Sequence, residues 1–102
     1  MKKEVVKIKE VVSGTSTNIE GYTLFVLMDK IISNGDTIVL SLKDCNILSS
    51  SFLNSSIGSL IEKHGFHEMK GRLVLTNYTP SMAEYIGHYI SRFKELSCPI
   101  PR

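Results

Sequence analysis

The chain has 102 residues, 42% hydrophobic and 22% charged, a composition that suits one folded domain with its own core and excludes extended disorder. A formal net charge of +2 is too small to single out a nucleic-acid partner. Cys45 and Cys98 have no metal-ligand spacing and suit a reducing compartment, no apolar run approaches membrane length, and the N-terminus lacks signal-peptide order, so a cytoplasmic location is expected.

In chain order, Val5, Val6, Ile8, Val11 and Val12, interleaved with Lys7 and Lys9, predict a first strand from Glu4 to Val12, with a break near Lys9. The lysines at 2, 3, 7 and 9 read as its solvated face. Ser13-Gly14-Thr15-Ser16 ends the strand. Thr17 and Glu20 have capping-box spacing, and Tyr22, Leu24, Phe25, Leu27, Met28, Ile31 and Ile32 continue as the apolar face of a first helix that stops at Asn34-Gly35.

The second strand, Thr37 to Leu42, is apolar on both faces except for Ser41, which predicts a central position covered on both sides. A second helix is expected from Ser50 to His64, with Phe52, Leu53, Ile57, Leu60 and Ile61 inward and Gly65 just past its end. Arg72 to Thr76 is the third strand. Thr79-Pro80-Ser81 opens a third helix, with Ser81 and Glu84 as a capping box and Met82, Tyr85, Ile86, Tyr89, Ile90 and Phe93 as its inward stripe. Residues 1–96 form the expected domain and residues 97–102, with two prolines, a tail.

Alternating strands and helices predict an α/β layer fold, a mixed and mostly parallel sheet of three to four strands packed with about three helices. In such a sheet the loops leaving the C-terminal strand ends gather along one edge. Here they are residues 13–17, 43–51 and 77–81, rich in hydroxyls, with Lys43 their one basic residue. They hold neither an arginine nor a glycine-rich cradle of the kind that grips a nucleotide. An edge open to modification fits these residues better than one that binds an anion. A single serine is enough to cap a helix, yet Ser49, Ser50 and Ser51 stand in succession beside Asp44, Asn46 and Asn54.

His64 and His67 are spaced H-x-x-H but lack further ligands, and His64 closes a helix, where a cation complements the dipole. His88 falls on the outer face of the third helix. No G-x-S-x-G elbow occurs, so an enzyme is not expected. Gly58 and Gly87, inside helices, mark either close packing or simple tolerance. Tyr78 is expected to be partly buried.

The run Ile38-Val39-Leu40-Ser41-Leu42-Lys43-Asp44, followed by Leu48-Ser49-Ser50-Ser51-Phe52-Leu53-Asn54-Ser55-Ser56-Ile57-Gly58, resembles the STAS-like domain family of bacterial and phage proteins. That family is related to the STAS domains of anti-sigma-factor antagonists, in which a strand leads through an aspartate-serine-serine turn into a helix. The first serine there is phosphorylated by a partner ATPase of the histidine-kinase-like fold. The resemblance puts Ser49 at the aspartate position and makes Ser50 the candidate phosphoacceptor. Ser49 in place of the aspartate, Phe52 in place of a glycine, and Asn54-Ser55 in place of an acidic pair are departures from the pattern. The small net charge and the lack of a membrane-length apolar run leave no nucleic acid or membrane expected, and no cofactor is expected either. What the resemblance implies is a non-enzymatic signalling module working with a protein partner. Its partner surface would comprise Asp44, Asn46, Ser49, Ser51, Asn54, Asn77 and Tyr78. Two other readings stand beside it: a small-ligand or nucleotide sensor using the same edge, and a structural homo-oligomer subunit with contacts from Tyr89 or Phe93.

Overall fold

The computed structural model describes residues 2–45 and 47–97. Its centre is β2 (Thr37–Ser41), which pairs in parallel with β1 (Lys3–Lys7) on one side and β3 (Leu73–Thr76) on the other, giving the order β1-β2-β3. Among the described residues the sheet has these three strands and is wholly parallel. Each pair of neighbours is joined through helices, as a parallel connection requires. A helical turn α1 (Ile8–Val11) and helix α2 (Asn18–Ser33) lie between β1 and β2. Between β2 and β3, α3 (Ser50–Leu53) runs through a π-helical turn (Asn54–Gly58) into α4 (Ser59–His64), and α5 (Phe66–Met69) follows. Helix α6 (Pro80–Ser97) ends the described chain.

The first strand is shorter than its composition suggests. Its register pairs Lys7 with Ser41, the last residue of β2, so beyond Lys7 the backbone has no neighbour to pair with. It coils instead, with Val12 N–H donating to the Ile8 carbonyl at 2.9 Å and both side chains buried. Tertiary packing here overrides β propensity. At the other end Ser97 is still helical, so the expected tail loses its first residue to α6; residues 98–102 lie outside the described residues.

Capping follows the sequence closely. Thr17 accepts from the Glu20 N–H, and Glu20 accepts in return from the Thr17 N–H, closing the first capping box. The Ser16 N–H, also donating to Glu20, is the main cause that lowers the pKa of that carboxyl. Gly65, at φ 92, ends α4 in a backbone conformation that glycine adopts without penalty. At α6 the cap is Thr79 and not Ser81: the Met82 N–H donates to Thr79 Oγ1 at 3.2 Å, placing Pro80 at the first helical position, where its missing N–H costs nothing.

One core holds the layers together. Val6, Ile38 and Leu40 from the sheet meet Leu24, Met28 and Ile32 of α2, Phe52, Leu53, Ile57 and Leu60 of the α3–α4 rod, and Ile86 of α6. On the opposite face β2 is covered as expected, with Thr37 and Ser41 buried and Val39 half-buried, but the two edge strands are open there. Val5, Val39 and Val74 lie in one row across the three strands, and Val5 is 64% and Val74 43% exposed.

Arg72, which precedes β3 instead of opening it, ties the sheet to the end of α2. Its guanidinium donates to the carbonyls of Ile32 at 2.7 Å and Asp36 at 3.0 Å and also pairs with Glu68. Arg72→Ala leaves those carbonyls short of a charged donor, and a loss of about 2 kcal/mol in stability is expected. Glu68→Ala removes only the exposed half of an ion pair and should cost less than about 1 kcal/mol. Urea midpoints of the two variants test the ranking.

Candidate functional site

The edge at the C-terminal ends of the strands is built in two parts. In the first, the chain leaves β2 and β3 through residues with left-handed backbones, Asp44 at φ 65 and Asn77 at φ 57, a region that aspartate and asparagine tolerate better than other side chains. The buried Ser41 hydroxyl joins them, accepting from Asn77 Nδ2 at 2.8 Å and from the Lys43 N–H at 3.3 Å. Asp44 and Asn77 are exposed, and Tyr78, expected to be partly buried, is 48% exposed. Asn46 lies outside the described residues. Cys45 is buried, and desolvation pushes its thiol pKa up, away from reactivity.

The second part is the entry to α3. Ser49 is the N-cap: its Oγ accepts from the Phe52 N–H at 3.1 Å and donates to the Ser16 carbonyl at 2.8 Å. Its own N–H donates to the Thr15 carbonyl at 3.1 Å, and the buried Thr15 hydroxyl donates to the Ile47 carbonyl. The loop after α1 is therefore laced to the loop after β2, which fixes where the rod begins. Ser49 sits at the aspartate position of the resembled motif and does the work of a cap. Among partner-surface candidates it is a structural residue.

The hydroxyls further along the rod are occupied too. A π turn widens the helix and displaces backbone acceptors from their usual donors. Ser56, fully buried, donates to the Phe52 carbonyl at 2.7 Å, and Ser59 donates to the Asn54 carbonyl five residues back at 2.9 Å. Ser55 donates to Asn18 Oδ1 across to α2 at 3.3 Å. Asn54 Oδ1 in turn accepts from the Tyr89 hydroxyl at 2.6 Å, so this exposed asparagine braces α6. Tyr89 is 9% exposed, and burial with Glu62 nearby pushes its phenol up to about 12. A buried, hydrogen-bonded Tyr89 does not offer the exposed oligomer contact considered for it, and the Phe93 side chain lies outside those described.

Two hydroxyls are left. Ser50 and Ser51 are exposed, and among the described residues neither side chain makes a hydrogen bond. They differ in surroundings. Ser50 borders a hollow of about 140 Å³ whose other walls are Tyr85, His88, Tyr89 and Arg92 of α6. Next to it, Leu48 shares a second hollow with Ser81, Met82 and Tyr85. Tyr85, expected to face inward, is 43% exposed and stands between the two. Periodicity alone made it part of the inward stripe, but its place on the margin of that stripe turns it toward the tip of α3. His88 and Arg92, at three- and seven-residue spacing from Tyr85, share its face, a pattern readable in the sequence once α6 is known to pack beside Ser50.

This separates capping from any other role. Ser49→Ala should cost about 1 kcal/mol of stability, whereas Ser50→Ala and Ser51→Ala should stay within about 0.5 kcal/mol of the parent in a denaturant melt.

The histidines have other duties. His64 Nε2 is 2.7 Å from Asp29 Oδ1, and Lys63 Nζ donates to Asp29 Oδ2 at 2.8 Å, linking α4 to α2. These two partners, Lys63 first, lower the pKa of the Asp29 carboxyl. His67 packs edge-on against Phe66. Among the described residues no cluster of three or more His, Cys, Asp or Glu could hold a metal ion, and no helix is long and apolar enough to cross a membrane.

Of the two glycines singled out in the sequence, Gly87 has open space around it and Gly58 is buried within the π turn. The close approach is instead at Gly21 of α2: a Cβ there would lie 2.6 Å from the Phe52 carbonyl oxygen and 2.8 Å from Ser55 Cβ. The Thr17 cap placed Gly21 in a helix, but no local signal told which helix it would touch.

Searches of curated proteins and of solved structures return no match to the chain. A family model described as a STAS-like domain of unknown function (DUF4325) matches residues 25–83, more than half of the chain, from the middle of α2 through β2, the Ser49–Ser51 tip and β3 into the first turn of α6. The chain belongs to this family of STAS-like domains.

Proposed function

We propose that this domain is a non-enzymatic regulatory module that binds a protein partner through the face around the tip of α3, and that its partner is a histidine-kinase-like ATPase that phosphorylates Ser50. The single observation behind this reading is the free Ser50 hydroxyl. Ser49, Ser55, Ser56 and Ser59 are each engaged in the fold, while Ser50 is exposed and unbonded at the position where the related antagonists carry their phosphoacceptor. A phosphate there adds nearly two negative charges and three acceptor oxygens. Exposure lets the domain carry that charge without desolvating it. A partner docked over the same tip would have to bury it, so modification releases the complex.

Ser51 is the control. It too is exposed and unbonded, but it does not border the α6 hollow. Incubation with a histidine-kinase-like ATPase from the same genome and MgATP, followed by intact-mass measurement, should show one added phosphate. The adduct should vanish in Ser50→Ala and persist in Ser51→Ala. No adduct on the parent, or one retained in Ser50→Ala, contradicts the assignment.

A further inference from the structure

Within the reading of Ser50 as phosphoacceptor, we infer that the modified side chain is received by the domain itself, in the hollow between Ser50 and α6, with the Arg92 guanidinium and the His88 imidazole as its partners. The hollow is bounded by Ser50, Tyr85, His88, Tyr89 and Arg92. Every side chain on that wall can donate a hydrogen bond, Arg92 carries a permanent positive charge, and none of the five is a carboxylate. Among the described side chains of α6 the carboxylate is Glu84, which opens onto the adjoining hollow with Pro80, Ser81, Tyr85 and His88. Glu62, which raises the Tyr89 pKa while Arg92 lowers it, is not among the residues lining the hollow.

The geometry of this wall is fixed independently of any phosphate. Tyr89 is buried and its hydroxyl donates to Asn54 Oδ1, which ties α6 to the rod that carries Ser50. Arg92 lies three residues beyond Tyr89, and His88 is its immediate neighbour, so both side chains emerge next to a braced point. Arginine's planar fork suits a phosphate monoester, to which it can donate two parallel hydrogen bonds. The ligand class is a phosphate monoester dianion attached to the domain's own serine. A phosphate so held would do more than repel a partner. It would draw Arg92 and His88 away from the exposed face of α6 that they share with Tyr85, so the partner would lose contacts on α6 together with access to the tip.

The test installs phosphoserine at position 50 during translation, using an orthogonal suppressor system, so that it does not depend on any kinase. Melting temperatures are compared for modified and unmodified protein in the parent and in Arg92→Ala. The parent should tolerate the phosphate with an unchanged or raised melting temperature. In Arg92→Ala the phosphate should lower it relative to the parent's response by about 4–8 °C, the shift that one charge-assisted contact produces in a domain of this size. The Arg92 Nε–H resonance of the modified parent should also move downfield. An equal response to phosphate in both backgrounds, with an unmoved Arg92 resonance, overturns the inference. If the ATPase does not phosphorylate Ser50, the reading of the partner fails and the outcome of this experiment is unaffected.

Discussion

Gly21→Leu should destabilise the domain by about 3 kcal/mol or more, and Gly21→Ala should also be destabilising although alanine is the better helix former. The reason is the backbone of a neighbouring helix. A Cβ at position 21 would sit 2.6 Å from the Phe52 carbonyl oxygen, which is held in place by the Ser56 hydroxyl and by the first turn of α3. A flexible side chain could swing aside, but this carbonyl cannot move without shifting the capped entry to the rod. The natural control is Gly87, inside α6, where a methyl group in place of the glycine hydrogen would meet nothing within 4 Å. Gly87→Ala should raise stability by about 1 kcal/mol, the ordinary gain of alanine over glycine in an exposed helix. Urea unfolding curves of the two alanine variants should therefore move in opposite directions from the parent. A Gly21→Ala variant as stable as the parent would mean that α2 and α3 are not in close contact at this point.

Most of the fold was legible because its signals are local. The Thr17–Glu20 box, the apolar run from Thr37 and the glycine at 65 each specify a boundary through residues a few positions apart, and each boundary is found within a residue or two of its expected place. The failures occur where a distant partner decides. Val11 and Val12 look like strand residues, but β2 is too short to pair with them. The apolar β2 is covered on both sides as its composition predicts, but that reading does not extend to its neighbours, where Val5 and Val74 of the same row are exposed. Tyr85 looked inward on periodicity, and only the approach of α6 to the tip of α3 shows that it belongs to the surface.

The candidate site divides in the same way. A serine triplet opening a helix was visible, and so was its excess of hydroxyls over what one cap needs. Much of the excess in the rod turned out to serve a π turn, whose displaced carbonyls at Phe52 and Asn54 are met by Ser56 and Ser59. No sequence pattern announced that turn. Of the proposed partner surface, Ser49 and Asn54 hold the fold together, Asp44 and Asn77 shape the strand-end turns, and Ser51 and Tyr78 remain exposed.

If the proposed function holds, phosphorylation at Ser50 should weaken binding of a histidine-kinase-like ATPase by about 100-fold, equivalent to about 3 kcal/mol. The magnitude follows from what docking would demand. Unmodified Ser50 presents a small neutral hydroxyl beside Tyr85 and Leu48, a surface that a partner can cover at little cost in desolvation. A dianionic phosphate at the same point must either be stripped of water beneath a docked partner or be turned against α6, and on the proposed reading both would cost the complex contacts. Ser50→Ala should bind as the parent does and no longer respond to ATP. Titrating the ATPase with parent domain and with domain carrying phosphoserine at position 50 measures this difference directly. A loss of affinity near two orders of magnitude on modification is the result the account predicts; equal affinity of the two forms would contradict it.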